Sequence, residues 1–207
     1  MTAALVIASA LTKPNFLLAF LPAVGLAAVA SLRRADWRLM MLGFCVPTLS
    51  VLGLQFLLRY RLQTELGVTI EWAPLYVIGL YAPTDAVSLL SRLGASVLFP
   101  LAGTLLFLPA AVRDRPLLLA WGTFFVGTAA GYLLTEQGGN ASHGNFLWSG
   151  QLAAFLLFVV AALFVVRETG RAGRFSAGLG GRLVVLVLLL AWHVDSGIRH
   201  LHTSWLD

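Results

Sequence analysis

The stretch Ser149-Gly150-Gln151-Leu152-Ala153-Ala154-Phe155-Leu156-Leu157-Phe158-Val159-Val160-Ala161-Ala162-Leu163-Phe164-Val165-Val166 contains no charged residue and is closed by Arg167. A helix that crosses a bilayer needs about 20 mostly apolar residues. Working outward, five further runs approach that length: 13–32, 38–58, 89–112, 116–134 and 183–203, the last apolar only in its first half. Over the whole chain 59% of residues are hydrophobic and 11% charged, against roughly 45–50% and 25% in ordinary globular proteins. Such a balance excludes a disordered chain, a collagen and a soluble enzyme. It predicts an all-α, polytopic integral membrane protein: one transmembrane helical domain over 1–207, with six spans.

The charges then orient the spans. Fourteen Lys plus Arg stand against nine Asp plus Glu, a formal net charge of +5. The basic residues do not form one patch, so nucleic acid is not an expected partner. Arg33, Arg34, Arg38, Arg113, Arg115, Arg167, Arg171, Arg174 and Arg182 fall in three alternate connections, which the positive-inside bias makes cytoplasmic. The connections 59–88 and 135–148 have nearly balanced charge and are expected outside, together with both termini. The plasma (inner) membrane, crossed several times, is the expected location.

The outer connection 59–88 is long for a loop. Trp72, Tyr76 and Tyr81 suit the water–lipid boundary, while Pro74 and Pro83 divide it, so a re-entrant or surface-lying segment is expected. The stretch 168–181, with Gly170, Gly173, Gly178, Gly180, Gly181, Arg171 and Arg174, reads as a flexible basic linker beside anionic lipid. Met1 to Leu11 are apolar but would reach only about 16 Å as a helix. They are expected to be either the end of a preceding element or an interfacial arm; one economical explanation is that the chain is the back portion of a longer polytopic protein. The lone Cys45 lies in an apolar run and offers neither an intrachain disulfide nor a thiolate metal site.

Few residues carry chemistry. Lys13, at the external start of a span, joins a point charge to the positive end of a helix dipole and so attracts phosphate; the alternative is a lysine snorkelling to the interface. In the outer turn from Glu136 to Trp148, Glu136 and His143 can hydrogen-bond sugar hydroxyls or exchange a proton, and Trp148 can stack on a sugar face. The alternative is a polar turn with an aromatic anchor. Asn140-Ala141-Ser142 matches a glycosylation acceptor but recurs by chance. In the last span, Asp195 and Arg199 are four apart and can pair; with His193, His200 and His202 spread around the helix, a metal site is not expected. Arg59 and Arg61, on the outer side, can grip a lipid phosphate or pair with Glu65.

Lys13-Pro14-Asn15-Phe16 running into a helix with Pro22, Phe99-Pro100 inside the third span, His143-Gly144-Asn145-Phe146-Leu147-Trp148 opening the fifth, and Ser196-Gly197-Ile198 resemble a group of bacterial polytopic proteins. That group is similar to the carboxyl half of polyprenyl-phosphate-dependent glycosyltransferases of the GT-C type, in cell-surface polysaccharide pathways. The resemblance implies a site open to the outer leaflet that takes sugar from a lipid-linked phosphate donor. It makes Lys13 a donor-phosphate contact with Asn15 beside it, and Glu136, His143 and Asn145 walls of an external cavity. The family's acidic residue in an early external loop has no counterpart here, so no position inherits the catalytic acid. The resemblance implies no cofactor; the expected partners are membrane lipid, a polyprenyl-phosphate-linked sugar, and an amino-terminal half or partner membrane subunit. The competing expectations are a non-enzymatic scaffold or accessory subunit and, third, a transporter.

Overall fold

The computed structural model describes residues 20–25, 48–54, 57, 69–81, 84–136, 145–171 and 177–206. The elements are β1 (Ile70–Trp72), α1 (Tyr76–Tyr81), α2 (Ala86–Leu106), α3 (Leu108–Ala111), α4 (Arg115–Leu133), β2 (Leu134–Glu136), α5 (Asn145–Arg171) and α6 (Ala177–Leu206). Residues 20–25 and 48–54 are also helical. Of the six expected spans, four are helices long and apolar enough to cross a membrane: Ala86–Leu106, Arg115–Leu133, Phe146–Arg171 and Gly178–Ser196. The expected spans 13–32 and 38–58 lie mostly outside the described residues, as do residues 1–19.

Helix starts follow local chemistry. Asp85 caps α2, its Oδ1 accepting the Ser88 backbone N–H at 2.9 Å. Asp114 does the same for α4, accepting from the Leu117 N–H at 3.0 Å, and Pro116 occupies the first turn, where a missing N–H costs nothing. Pro100 lies inside α2 and removes one ladder hydrogen bond. The helix nevertheless continues to Leu106, short of the expected 112; Phe107 then turns the chain into the four-residue α3, with Pro109 in its first turn.

The chain forms two compact units. The first comprises Met1–Leu89 with Leu119–Leu156, the second Leu90–Leu118 with Leu157–Asp207. In the first, α4 and α5 approach through small residues. A Cβ on Gly131 would lie 3.0 Å from Leu147 Cα and 3.1 Å from the Phe146 carbonyl oxygen; one on Gly150 would lie 3.3 Å from Thr128 Cα. Glycine is required at this crossing because backbone meets backbone, the usual device by which helices associate in lipid. In the second unit, Phe99 stacks on Phe158 with centroids 4.8 Å apart and Phe107 meets Phe164 edge-on at 6.2 Å. A Cβ on Gly103 would touch Val165 Cγ2 at 3.1 Å.

The outward faces are as apolar as the inward ones. On α5, Ala153, Leu157, Ala161 and Phe164 are buried, whereas Phe155 is 71% and Leu163 64% exposed; on α6, Val187 and Leu188 are 62% and 65% exposed. Leaving such side chains in water forgoes roughly 1.5–3 kcal/mol each. A helix apolar on every face belongs in a core or in lipid, and exposed apolar faces on helices of this length are compatible with contact to membrane lipid.

The chain is mostly helical, as expected, and β1 and β2 add an antiparallel two-stranded sheet. One expectation is corrected. The glycine-rich stretch 168–181 is not a linker throughout: α5 continues to Arg171, and Gly178, Gly180 and Gly181 lie in the first turns of α6. Next to lipid an unpaired backbone group costs more than glycine's weak helix propensity.

Candidate functional site

The last four carbonyls of a helix lack partners within it. At the end of α4 two of them are met by the chain following β1: Ala73 N–H donates to the Leu133 oxygen at 3.0 Å and Leu75 N–H to the Tyr132 oxygen at 2.7 Å. To reach, Leu75 adopts φ 62°, the left-handed region that costs a non-glycine residue roughly 1–2 kcal/mol. Pro74 precedes it and Tyr76 N–H returns to the Ala73 oxygen at 3.2 Å. Proline second and positive φ third is the pattern of a type II turn. The 59–88 connection, expected as a surface-lying or re-entrant segment, therefore holds a strand, a tight turn and the short helix α1, whose Val77 and Ile78 are buried.

The strand register places Ile70 opposite Glu136, Glu71 opposite Thr135 and Trp72 opposite Leu134. Alternation puts Glu71 and Thr135 on one face of the ribbon and Ile70, Trp72, Leu134 and Glu136 on the other. Glu136 is 6% exposed, Glu71 is half-buried, and Trp72 and Tyr76 are exposed. A buried carboxylate is costly unless it is held by partners, and Glu136 and Glu71 are both engaged in interactions. Trp148, in the first turn of α5, is 45% exposed. Its neighbour Leu147 rests on Gly131, five residues before Glu136, so Glu136 and Trp148 share the end of the α4–α5 pair.

Of the candidates read from the sequence, Glu136 and Trp148 lie at the same end of the α4–α5 pair. Asn145 opens α5. Lys13, Asn15, Arg59, Arg61 and His143 lie outside the described residues. Glu71 was not foreseen; its signal was a carboxylate alternating with Ile70 and Trp72 just before a proline turn. Gly131 and Gly150, where α4 and α5 approach most closely, were not among the candidates either. The ribbon end thus holds two carboxylates already engaged in interactions, and exposed aromatic faces on which a sugar ring can stack.

The remaining expected chemistry is modest. Arg199 Nε pairs with Asp195 Oδ2 at 2.9 Å, as the four-residue spacing implied. His193 bonds Leu189 oxygen through Nδ1 at 3.2 Å, and its Nε2 is enclosed without a partner against Phe158. Among the described residues no three His, Cys, Asp or Glu side chains are grouped to hold a metal ion.

No protein-family model matches this chain, and no curated protein or solved structure does.

Proposed function

We propose that the chain is a multi-pass protein of the bacterial inner membrane, a GT-C-like glycosyltransferase module that handles a polyprenyl-phosphate sugar at the outer face during cell-surface glycan assembly. The ribbon end, with 59–88 and 135–148, is external in this reading, and the arginine-rich end is cytoplasmic. The supporting observation is the antiparallel pairing of β1 with β2. It gathers the two connections of balanced charge at one end and sets a buried carboxylate, Glu136, beside a strand carrying Glu71 and exposed Trp72. The quoted motifs supply the link to a lipid-linked donor.

A scaffold or accessory role is the second reading, favoured by the fact that Glu136 already has partners and therefore serves to hold the ribbon. Photo-crosslinking separates the two. Membranes containing the chain are illuminated with a photoreactive polyprenyl-phosphate sugar, and Glu136→Gln and Trp148→Ala are compared with wild type. A donor-handling site gives labelling within 134–148 that unlabelled donor competes away and that falls about tenfold in Glu136→Gln, the size expected from losing one charge-assisted hydrogen bond, and also falls in Trp148→Ala, which removes a stacking face. Labelling no greater than with the phosphate-free prenol contradicts donor handling and leaves the scaffold.

A further inference from the structure

The second unit carries a polar cluster to which the glycan reading gives no task. An open depression of about 540 Å³ is lined by Pro109, Ala110, Arg113, Asp114, Arg167, Glu168 and Arg171, a volume in the range that holds small ligands. Asp114 and Arg167 form an ion pair, and Arg171 Nη1 pairs with Glu168 Oε1 at 2.5 Å. Both carboxylates are thus neutralised within the cluster. The Arg113 side chain is exposed and has no side-chain partner among the described residues.

The cluster is anchored from below. Arg167 lies over the Phe164 ring at 5.9 Å, and Arg182 over the Phe107 ring at 5.5 Å. Those two rings pack edge-on, so two arginines stand on one aromatic pair, with Arg167 neutralised by Asp114.

We propose that this depression binds a phosphate group, with the Arg113 guanidinium as the donor. A planar guanidinium matches phosphate oxygens two at a time, and the cluster leaves one such group uncommitted. The apolar wall of Pro109 and Ala110 next to that donor suits the glycerol end of an anionic phospholipid. Basic pockets between spanning helices on the cytoplasmic side hold such headgroups. The choice of lipid rests on the proposed membrane orientation, but the phosphate chemistry does not, and neither depends on the glycan reading.

The test uses the full chain in nanodiscs and two sources of phosphate. In the first arm, phosphatidylglycerol is titrated into phosphatidylcholine discs and lipid retained on the protein is counted by native mass spectrometry. In the second, radiolabelled inorganic phosphate is added to discs of phosphatidylcholine alone. Arg113→Gln is compared with Arg92→Gln, which removes the same charge from an exposed position on α2 outside the depression. Saturable retention that weakens at least about fivefold in Arg113→Gln, stays unchanged in Arg92→Gln and falls between the two in Arg113→Lys supports the site. The arm in which this is seen identifies lipid or soluble phosphate as the source. Equal losses in Arg113→Gln and Arg92→Gln, or no saturable binding in either arm, overturn it. Thermal melts of each variant confirm that a loss is not unfolding.

Discussion

The two ends of α4 meet the same demand by different means. At its start, side chains do the work: Asp114 caps the first turn and pairs with Arg167 on α5. At its finish, main chain does it: the N–H groups of Ala73 and Leu75 satisfy the last carbonyls, and β2 continues directly into a ribbon with β1. An end built from charges repels hydrocarbon and fixes its place at a water boundary. An end built from backbone needs few charges, which leaves its carboxylates, Glu71 and Glu136, free to be placed for reasons other than solubility.

The contrast can be broken at several points. The largest effect belongs to the crossing that positions the backbone-built end. Gly131→Leu forces a side chain against the Leu147 and Phe146 backbone, and is expected to cost roughly 3 kcal/mol or more, read as loss of folded protein in detergent melts. If Gly131→Leu leaves the melt unchanged, the α4–α5 approach is wrong. At the other end, Asp114→Ala removes a cap and the partner of Arg167 together. A loss of about 1–2 kcal/mol is expected, and a cycle with Arg167→Ala must show non-additivity if the pair exists.

Glycines in open space behave in the opposite sense. A Cβ on Gly94 meets nothing within 4 Å, so Gly94→Ala in α2 is expected to stabilise by about 0.5–1 kcal/mol through helix propensity. The sign difference between positions 94 and 131 separates packing from propensity in one pair of melts. The smallest effect is the acid limb. Hydrogen bonds from the Ser88 side chain and backbone hold the Asp85 carboxyl below its ordinary value. A depressed folded pKa adds stability above the unfolded value, about 3.9, and that stability is lost as pH falls through the folded one. Asp85→Asn should flatten this part of the stability–pH curve and leave neutral pH nearly unchanged. An identical acid limb in the variant would remove the cap.

How much of this could be read from the residues follows from the same contrast. The four long apolar helices were legible because their length and lack of charge are imposed by hydrocarbon, and the Asp195–Arg199 pair because a helix fixes four-residue spacing. The ribbon was not. Ile70-Glu71-Trp72 and Leu134-Thr135-Glu136 are three residues each, too short for alternation to declare a strand, and their pairing joins positions more than sixty apart. The glycines of α6 misled for a different reason: helix propensities describe chains in water, whereas next to lipid the cost of an unpaired backbone group dominates. Of the candidate site, Glu136 and Trp148 were found as isolated polar and aromatic residues, and only the register adds Glu71. Asp114 and Arg167 were visible as charges at span ends, but their meeting depends on the packing of α4 against α5.

One measurement bears on everything above. In a Cys45→Ala background, Thr84→Cys beside the ribbon connection and Arg113→Cys at the arginine cluster are exposed to a membrane-impermeant maleimide on intact cells. With the helices spanning the inner membrane and the arginines inside, position 84 is labelled at once and position 113 only after permeabilisation. Labelling of 113 with 84 protected would invert the orientation, and equal labelling of both would mean that no membrane lies between them.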